Sequence, residues 1–197
     1  MIISFEDKLR KPLICTARFI RFLRNRLTLL KLKIKGCNID WSATVHWSVV
    51  VERSRGKIVI GPRTSIDRGV ILRAYGGSII VGSDCSINAY SVVYGDGGLV
   101  IGNGVRVAAH TVIVPSNHIF SDPHEFIFNQ GESRIGITIE DDVWLGAGVK
   151  VLDGVSIKKG TVVGAGSVVT KSTEPFDIFV GVPAKKISSR LSRFLHA

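Results

Sequence analysis

From Ile139 onward an aliphatic side chain returns every sixth residue: Ile139, Leu145, Val151, Ile157, Val163 and Val169. The hexads read IEDDVW, LGAGVK, VLDGVS, IKKGTV, VGAGSV and VTKSTE. A helix repeats every 3.6 residues and a lone strand every two, so neither generates this period. Three short strands per turn, each followed by a tight corner, do generate it. Every sixth side chain then points inward and stacks on its equivalent three hexads later.

The same register runs backwards with interruptions. Ile101, Val107 and Ile113 form one coil, Val81, Ile87 and Val93 another, and Ile60, Ile66 and Leu72 a third. Ile39, Val45 and Val51 start a first, irregular coil. The extra residues fall at Gly-containing corners such as Tyr75-Gly76-Gly77 and Asp96-Gly97-Gly98, where insertion costs little. About six coils at ~4.8 Å spacing predict a prism roughly 30 Å long. Its open ends need covering, and the N-terminal segment and the tail after Ala184 are the available caps. Composition agrees: 45% of residues are hydrophobic but only 8% aromatic, and 21 are Gly, so Val and Ile must build the core. The chain of 197 residues divides into a segment 1–38, a repeat body 39–174 with a loop at 117–138, and a cap 175–197.

The net charge of +10 is concentrated at one end. Residues 1–35 hold ten Lys or Arg against Glu6 and Asp7. Over 5–33, apolar residues (Leu9, Leu13, Ile14, Phe19, Ile20, Leu23, Leu27, Leu30) alternate with these charges and predict an amphipathic helix. Such a helix either packs on the first coil with its basic face solvated, or is drawn to an anionic membrane at ~1 kcal/mol per basic residue. No recognition motif or aromatic platform accompanies the charge, so nucleic acid is not an expected partner. Three cysteines in no metal-binding pattern, with no signal sequence and no apolar membrane span, predict a cytoplasmic protein, peripheral at the inner face of the membrane if the helix binds there.

The register breaks between Asn117 and Thr138, and His118 opens the break. A loop of this length in a compact repeat fold is usually functional. Imidazole can take a proton from an attacking hydroxyl at neutral pH. Without further information His118 is equally a histidine in a surface loop. Asp122 and Glu125 in the loop are both available to orient it, and the sequence does not choose between them.

The stretch from Ile139 to Ile187, ending SVVTKSTEPFDIFVGVPAKKI, resembles the C-terminal half of hexapeptide-repeat sugar O-acetyltransferases, and NHIFSDPHEFIFNQG resembles the loop of their polysaccharide-modifying members. The likeness is good over 80–188, weaker over 40–80 and absent from 1–35. It implies an all-β, left-handed parallel β-helix, a homotrimer with active sites between subunits, acetyl-CoA as co-substrate, and a sugar or glycan hydroxyl as acceptor in surface-polysaccharide biosynthesis. His118 matches the family's catalytic histidine, and Asn88 and Asp96 match residues that contact acceptor. Tyr90 departs from the family's second Asn, which puts the acceptor in doubt. Trp144 matches a tryptophan lining the cleft, and is equally a filler of a corner or trimer contact. Ala147 and Ala165 stack one coil apart and would let an extended pantetheine lie against the backbone. Thr170 and Lys171 match residues at the CoA end, and Lys185 could also meet phosphate. His118-x₅-His124 and His110 do not match the three-histidine zinc pattern of the related carbonic anhydrases, so no metal is expected. N-acetylation of an amino sugar and a non-catalytic scaffold are the competing readings.

Overall fold

The computed structural model describes residues 5–194, with side chains over residues 16 and 18–192. The apolar positions Leu9, Leu13 and Ile14 of the helical pattern lie outside the described side chains. A helix, α1 (Phe5–Ile34), is followed by six coils of three short parallel strands, an antiparallel hairpin and a short helix, α2 (Arg190–Phe194). The coils wind a triangular prism whose faces we term A, B and C in chain order. Face A is built from the strands at Asn38–Ile39, Lys57–Ile60, Ser78–Val81, Leu99–Ile101, Ile137–Ile139 and Ser156–Ile157. Faces B and C continue each coil in the same way.

The hexad register maps directly onto strand pairing. On face A, Ile39, Ile60, Val81, Ile101, Ile139 and Ile157 are Cα partners in sequence. Val45, Ile66, Ile87, Val107, Leu145 and Val163 stack on face B. Val51, Leu72, Val93, Ile113, Val151 and Val169 stack on face C. All but the half-buried Val51 are almost completely excluded from solvent. The first coil is regular in pairing; its irregularity lies in the corner that follows.

A second inward column lies two residues earlier in each hexad; on face A it holds Ile58, Ile79, Leu99 and Ile137, whereas on faces B and C its side chains are smaller. Thr64, Ser91, Thr111, Thr161 and Ser167 are fully buried there. Their hydroxyls are satisfied at the corners: Thr64 Oγ1 donates to Gly82 O at 2.7 Å, Thr111 Oγ1 to Ala108 O at 2.8 Å, and Ser167 Oγ accepts the Gly181 N–H at 3.0 Å. A buried hydroxyl without such a partner would cost about 1–3 kcal/mol.

Every departure from six occurs at one edge. The A–B and B–C corners keep the six-residue step throughout, whereas the C–A corner runs from Val51 to Ile60, Leu72 to Val81, Val93 to Ile101 and Ile113 to Ile139. That last crossing contains the loop.

Both ends of the stack are closed. α1 lies across the first coil with Leu29 and Leu32 buried. Asn25 Nδ2 donates to Ala43 O at 3.1 Å and its Oδ1 accepts the Val45 N–H at 2.9 Å, so one side chain pairs the free edge of face B. The helix ends in a Schellman turn. Gly36 adopts φ +84°, its N–H bonds to Lys33 O, and the Cys37 N–H bonds to Leu32 O. At the other end the hairpin Asp177–Gly181/Ala184–Ser189 extends face B. Thr173 bonds back to Ser156 and Lys158 to close face A. Among the described residues no helix is long and apolar enough to cross a membrane.

Candidate active site

The loop at the C–A corner is a structured projection. Asn117–His118 pairs antiparallel with Glu132–Ser133, placing His118 opposite Glu132. Gln130 ties the interior together: its Nε2 donates to the carbonyls of Asp122 and Glu125, both at 2.9 Å, and its Oε1 accepts the Asp122 N–H at 3.0 Å. The returning limb is anchored by Asp153, on the next coil. Its carboxylate accepts the Ser133 hydroxyl at 3.0 Å, the Ile135 N–H at 3.0 Å and the Gly136 N–H at 2.8 Å.

At the loop's root, Gly97 admits both limbs. A Cβ there would lie 1.9 Å from Pro115 O, while a Cβ on Gly136, which has φ +99°, would meet Gly97 O at 2.8 Å. The glycine therefore seats the loop directly on the corner that carries Asp96. One Asp96 carboxylate oxygen, Oδ1, is buried and has no hydrogen-bond partner among the described residues.

The His118 ring is 63% exposed, open to a reacting group. The carboxylate facing it is Glu132, with Oε1 3.9 Å from Nδ1. This is ion-pair range, longer than a hydrogen bond. Glu132 Oε2 is held by Arg134, from Nη2 at 3.0 Å and Nε at 3.2 Å. The two acids singled out from the sequence are engaged elsewhere: Asp122 Oδ1 accepts the His124 N–H at 2.9 Å, and Glu125 accepts from Asn129. Sequence reasoning missed both Glu132 and Asp153. Glu132 meets the histidine only through a strand pairing inside the loop. Asp153 sits in VLDGVS, which reads as an ordinary corner.

The remaining site residues fall on two edges of the prism. Asp96, the His118 loop, Thr170 and Lys171 lie along the C–A edge. Asn88, Ala147 and Ala165 lie along the B–C edge, where the Gly166 N–H bonds to Ala147 O at 2.8 Å and confirms that the two alanines stack. Lys185, opposite Val180 in the closing hairpin, stands above that edge. Trp144 projects from face B, 53% exposed, between Arg106 and Val162. Asn88 and Asp96 are thus separated by the width of face C, roughly 16 Å for five residues of strand.

Lysine pairing separates structural from available charge. Lys158 bonds Glu140 at 2.9 Å, and with the Lys159 N–H holds that carboxyl below the usual carboxylate range. Lys186 bonds the buried Asp177 at 2.6 Å. Lys171 and Lys185 are exposed, and neither is in an ion pair among the described residues. Among those residues, no cluster of three His, Cys, Asp or Glu could hold a metal ion.

A family profile described as bacterial transferase hexapeptide (six repeats) matches residues 136–171. The chain is 32% identical over 177 residues to WbbJ of Escherichia coli K12, named as a lipopolysaccharide biosynthesis O-acetyl transferase, covering 86% of this chain and 87% of that one. It is 32% identical over 123 residues to the galactoside O-acetyltransferase of the same organism, covering 62% of this chain and 60% of that one. The chain thus spans less than two thirds of the galactoside enzyme's length. Among solved structures, a point mutant of AntD, an N-acyltransferase from Bacillus cereus in complex with dTDP and coenzyme A, superposes with a TM-score of 0.72. It is 25% identical, over 84% of this chain and 91% of that one. With the coil register, the profile match and a relative covered over almost its whole length, the chain belongs to the bacterial hexapeptide-repeat transferase family.

Proposed function

We propose that the protein moves an acetyl group from acetyl-CoA to a hydroxyl of a sugar or glycan in surface-polysaccharide assembly, with His118 as the base. The observation that carries this reading is the loop, the longest interruption of the stack, which presents an exposed imidazole faced by a carboxylate. In the reaction, neutral His118 accepts the hydroxyl proton as the sugar oxygen attacks the thioester carbonyl. The tetrahedral intermediate collapses, the C–S bond breaks, and the imidazolium returns its proton to the departing CoA sulfur. Glu132 stabilises the imidazolium and is itself steadied by Arg134.

The distribution over two edges supports a site shared by neighbouring copies of a homotrimer. One copy's C–A edge supplies Asp96, His118, Thr170 and Lys171; its neighbour's B–C edge supplies Asn88, Ala147, Ala165 and Lys185. Apolar side chains on the outside of face C (Val50, Ile71, Val92, Val112, Val168) and the exposed loop residues Phe120, Phe126 and Phe128 suit such a contact. In this reading pantetheine lies along the alanine track beside Trp144, and the free lysines meet the CoA phosphates.

The helix α1 packs on the first coil through Leu29 and Leu32, and peripheral membrane contact is proposed for its opposite face. Phe19, Leu23, Leu27, Leu30 and Ile34 form an exposed stripe on the side opposite buried Leu29 and Leu32. Arg24, Lys31 and Lys35 flank the stripe on one side, Arg26 and Lys33 on the other. An apolar stripe between basic shores fits the inner, anionic face of a cell membrane.

Acetyl-CoA offered with a panel of sugars should release free thiol, and His118→Ala should suppress this while leaving the oligomer intact. Normal turnover by that variant would refute the base assignment. Products that resist mild alkali would point instead to N-acetylation, a transfer to nitrogen as in AntD, which is named an N-acyltransferase.

A further inference from the structure

α1 does not lie flush against the coils along its whole length. Between it and the outside of face B opens a cleft of ≈ 670 Å³, well inside the size range of small-ligand sites. The helix contributes Arg21 and Arg24; Trp47, Arg68 and Asn88 come from the B–C corners of the first, second and third coils. Trp47 and Arg68 hold the same corner position in successive coils, and Asn88 follows one coil beyond.

The charge of this cleft is unbalanced. None of the ion pairs among the described residues involves Arg21, Arg24 or Arg68. The one carboxylate in the lining, Asp67, already accepts the Arg68 N–H at 2.6 Å. Arg24 lies 5.7 Å from the centroid of the Trp47 ring, which is itself 60% exposed. Three arginines lining one concave surface make it attractive to an anion, and guanidinium forks match phosphate oxygens in pairs.

We infer that this cleft binds the diphosphate of an activated sugar acceptor, with the sugar toward Asn88 and the group beyond the phosphates on Trp47. The orientation rests on the proposed acetyl transfer, through the role of Asn88 there; the anion site rests on the arginines alone. Two kinds of molecule carry such a group. A nucleotide would stack its base on the indole, and a prenyl lipid would lay its first isoprene units against it.

Binding of inorganic pyrophosphate, uridine diphosphate and geranyl diphosphate to the full chain can be measured by calorimetry at fixed ionic strength. Arg68→Gln, and the double variant Arg21→Gln/Arg24→Gln, should each weaken pyrophosphate binding at least tenfold, with CoA binding and melting temperature unchanged. Equal binding by both variants, or no binding by the native chain at millimolar pyrophosphate, overturns the inference. Tighter binding of uridine diphosphate or of geranyl diphosphate than of pyrophosphate, lost in Trp47→Ala, supports it and identifies the source. Pyrophosphate binding without acetyl transfer to any acceptor would leave the cleft standing and remove the enzymatic reading. Transfer to plain sugars without pyrophosphate binding would do the reverse.

Discussion

Asp153→Ala should loosen the loop that carries His118 without unfolding the stack. The carboxylate holds one hydroxyl and two backbone N–H groups of the loop's returning limb, at 2.8–3.0 Å. Hydrogen bonds to a charged acceptor are worth about 1.5–3 kcal/mol each. Three at the low end give roughly 4.5 kcal/mol, and halving this for a partly exposed site leaves ~2 kcal/mol. The closed loop should then be disfavoured by about thirtyfold. Native-state hydrogen exchange reads this directly, because the Ile135 and Gly136 amides should lose about that factor of protection while amides in the coils keep theirs. Turnover, followed by thiol release, should fall by up to the same factor as His118 leaves its place beside Glu132. Asp153→Asn retains an acceptor oxygen and should fall between. Unchanged exchange at Ile135 and Gly136 in the alanine variant would refute the argument that this side chain anchors the loop.

Other expectations follow from the same geometry. His118→Ala should lower acetyl transfer by ~10²–10⁴ with CoA binding retained by calorimetry; a loss below tenfold would count against a proton-transfer role. Leu145→Ala should cost about 2–5 kcal/mol, because Leu145 is fully buried in the face-B column, and the melting temperature should drop measurably. Burial pushes the Cys85 thiol up from its ordinary value, so Cys85 should resist iodoacetamide at pH 8 until the protein unfolds; peptide mapping that finds it alkylated in the native state would contradict the packing. Leu23→Ser/Leu27→Ser should abolish co-sedimentation with phosphatidylglycerol vesicles, and neutral phosphatidylcholine vesicles should retain little of the native chain. Equal pelleting of native and variant protein would rule out the apolar stripe as the contact.

The coil stack was legible because a period of six is a covalent regularity. Once Ile139, Leu145 and Val151 are aligned, the inward columns of every coil follow, including the first. The break at His118 was legible for the same reason, as an absence of pattern. What the sequence did not disclose depends on contacts across the loop and between ends of the chain. Glu132 faces His118 through an antiparallel pairing of two residues on each side, too short to leave any periodic trace. Asp153 reaches back over the coil boundary to backbone groups that carry no sequence identity. The cleft under α1 arises where the helix leaves the first coil, an angle fixed by Asn25 clasping Ala43 and Val45. The amphipathic pattern of that helix was visible, but not that it is apolar on two opposite sides.

The confinement of all insertions to the C–A edge gives the two remaining edges a property that an ordinary globular surface lacks. Along the B–C edge, equivalent atoms recur at a constant rung of about 4.8 Å, with no rung missing or doubled. An elongated molecule laid beside it meets a graduated scale, so its length is gauged by counting coils rather than by the depth of a pocket. Excising one whole coil would preserve every inward column yet bring the two ends of that scale closer by a single rung. The interrupted edge is then free to vary its projections without recalibrating the other.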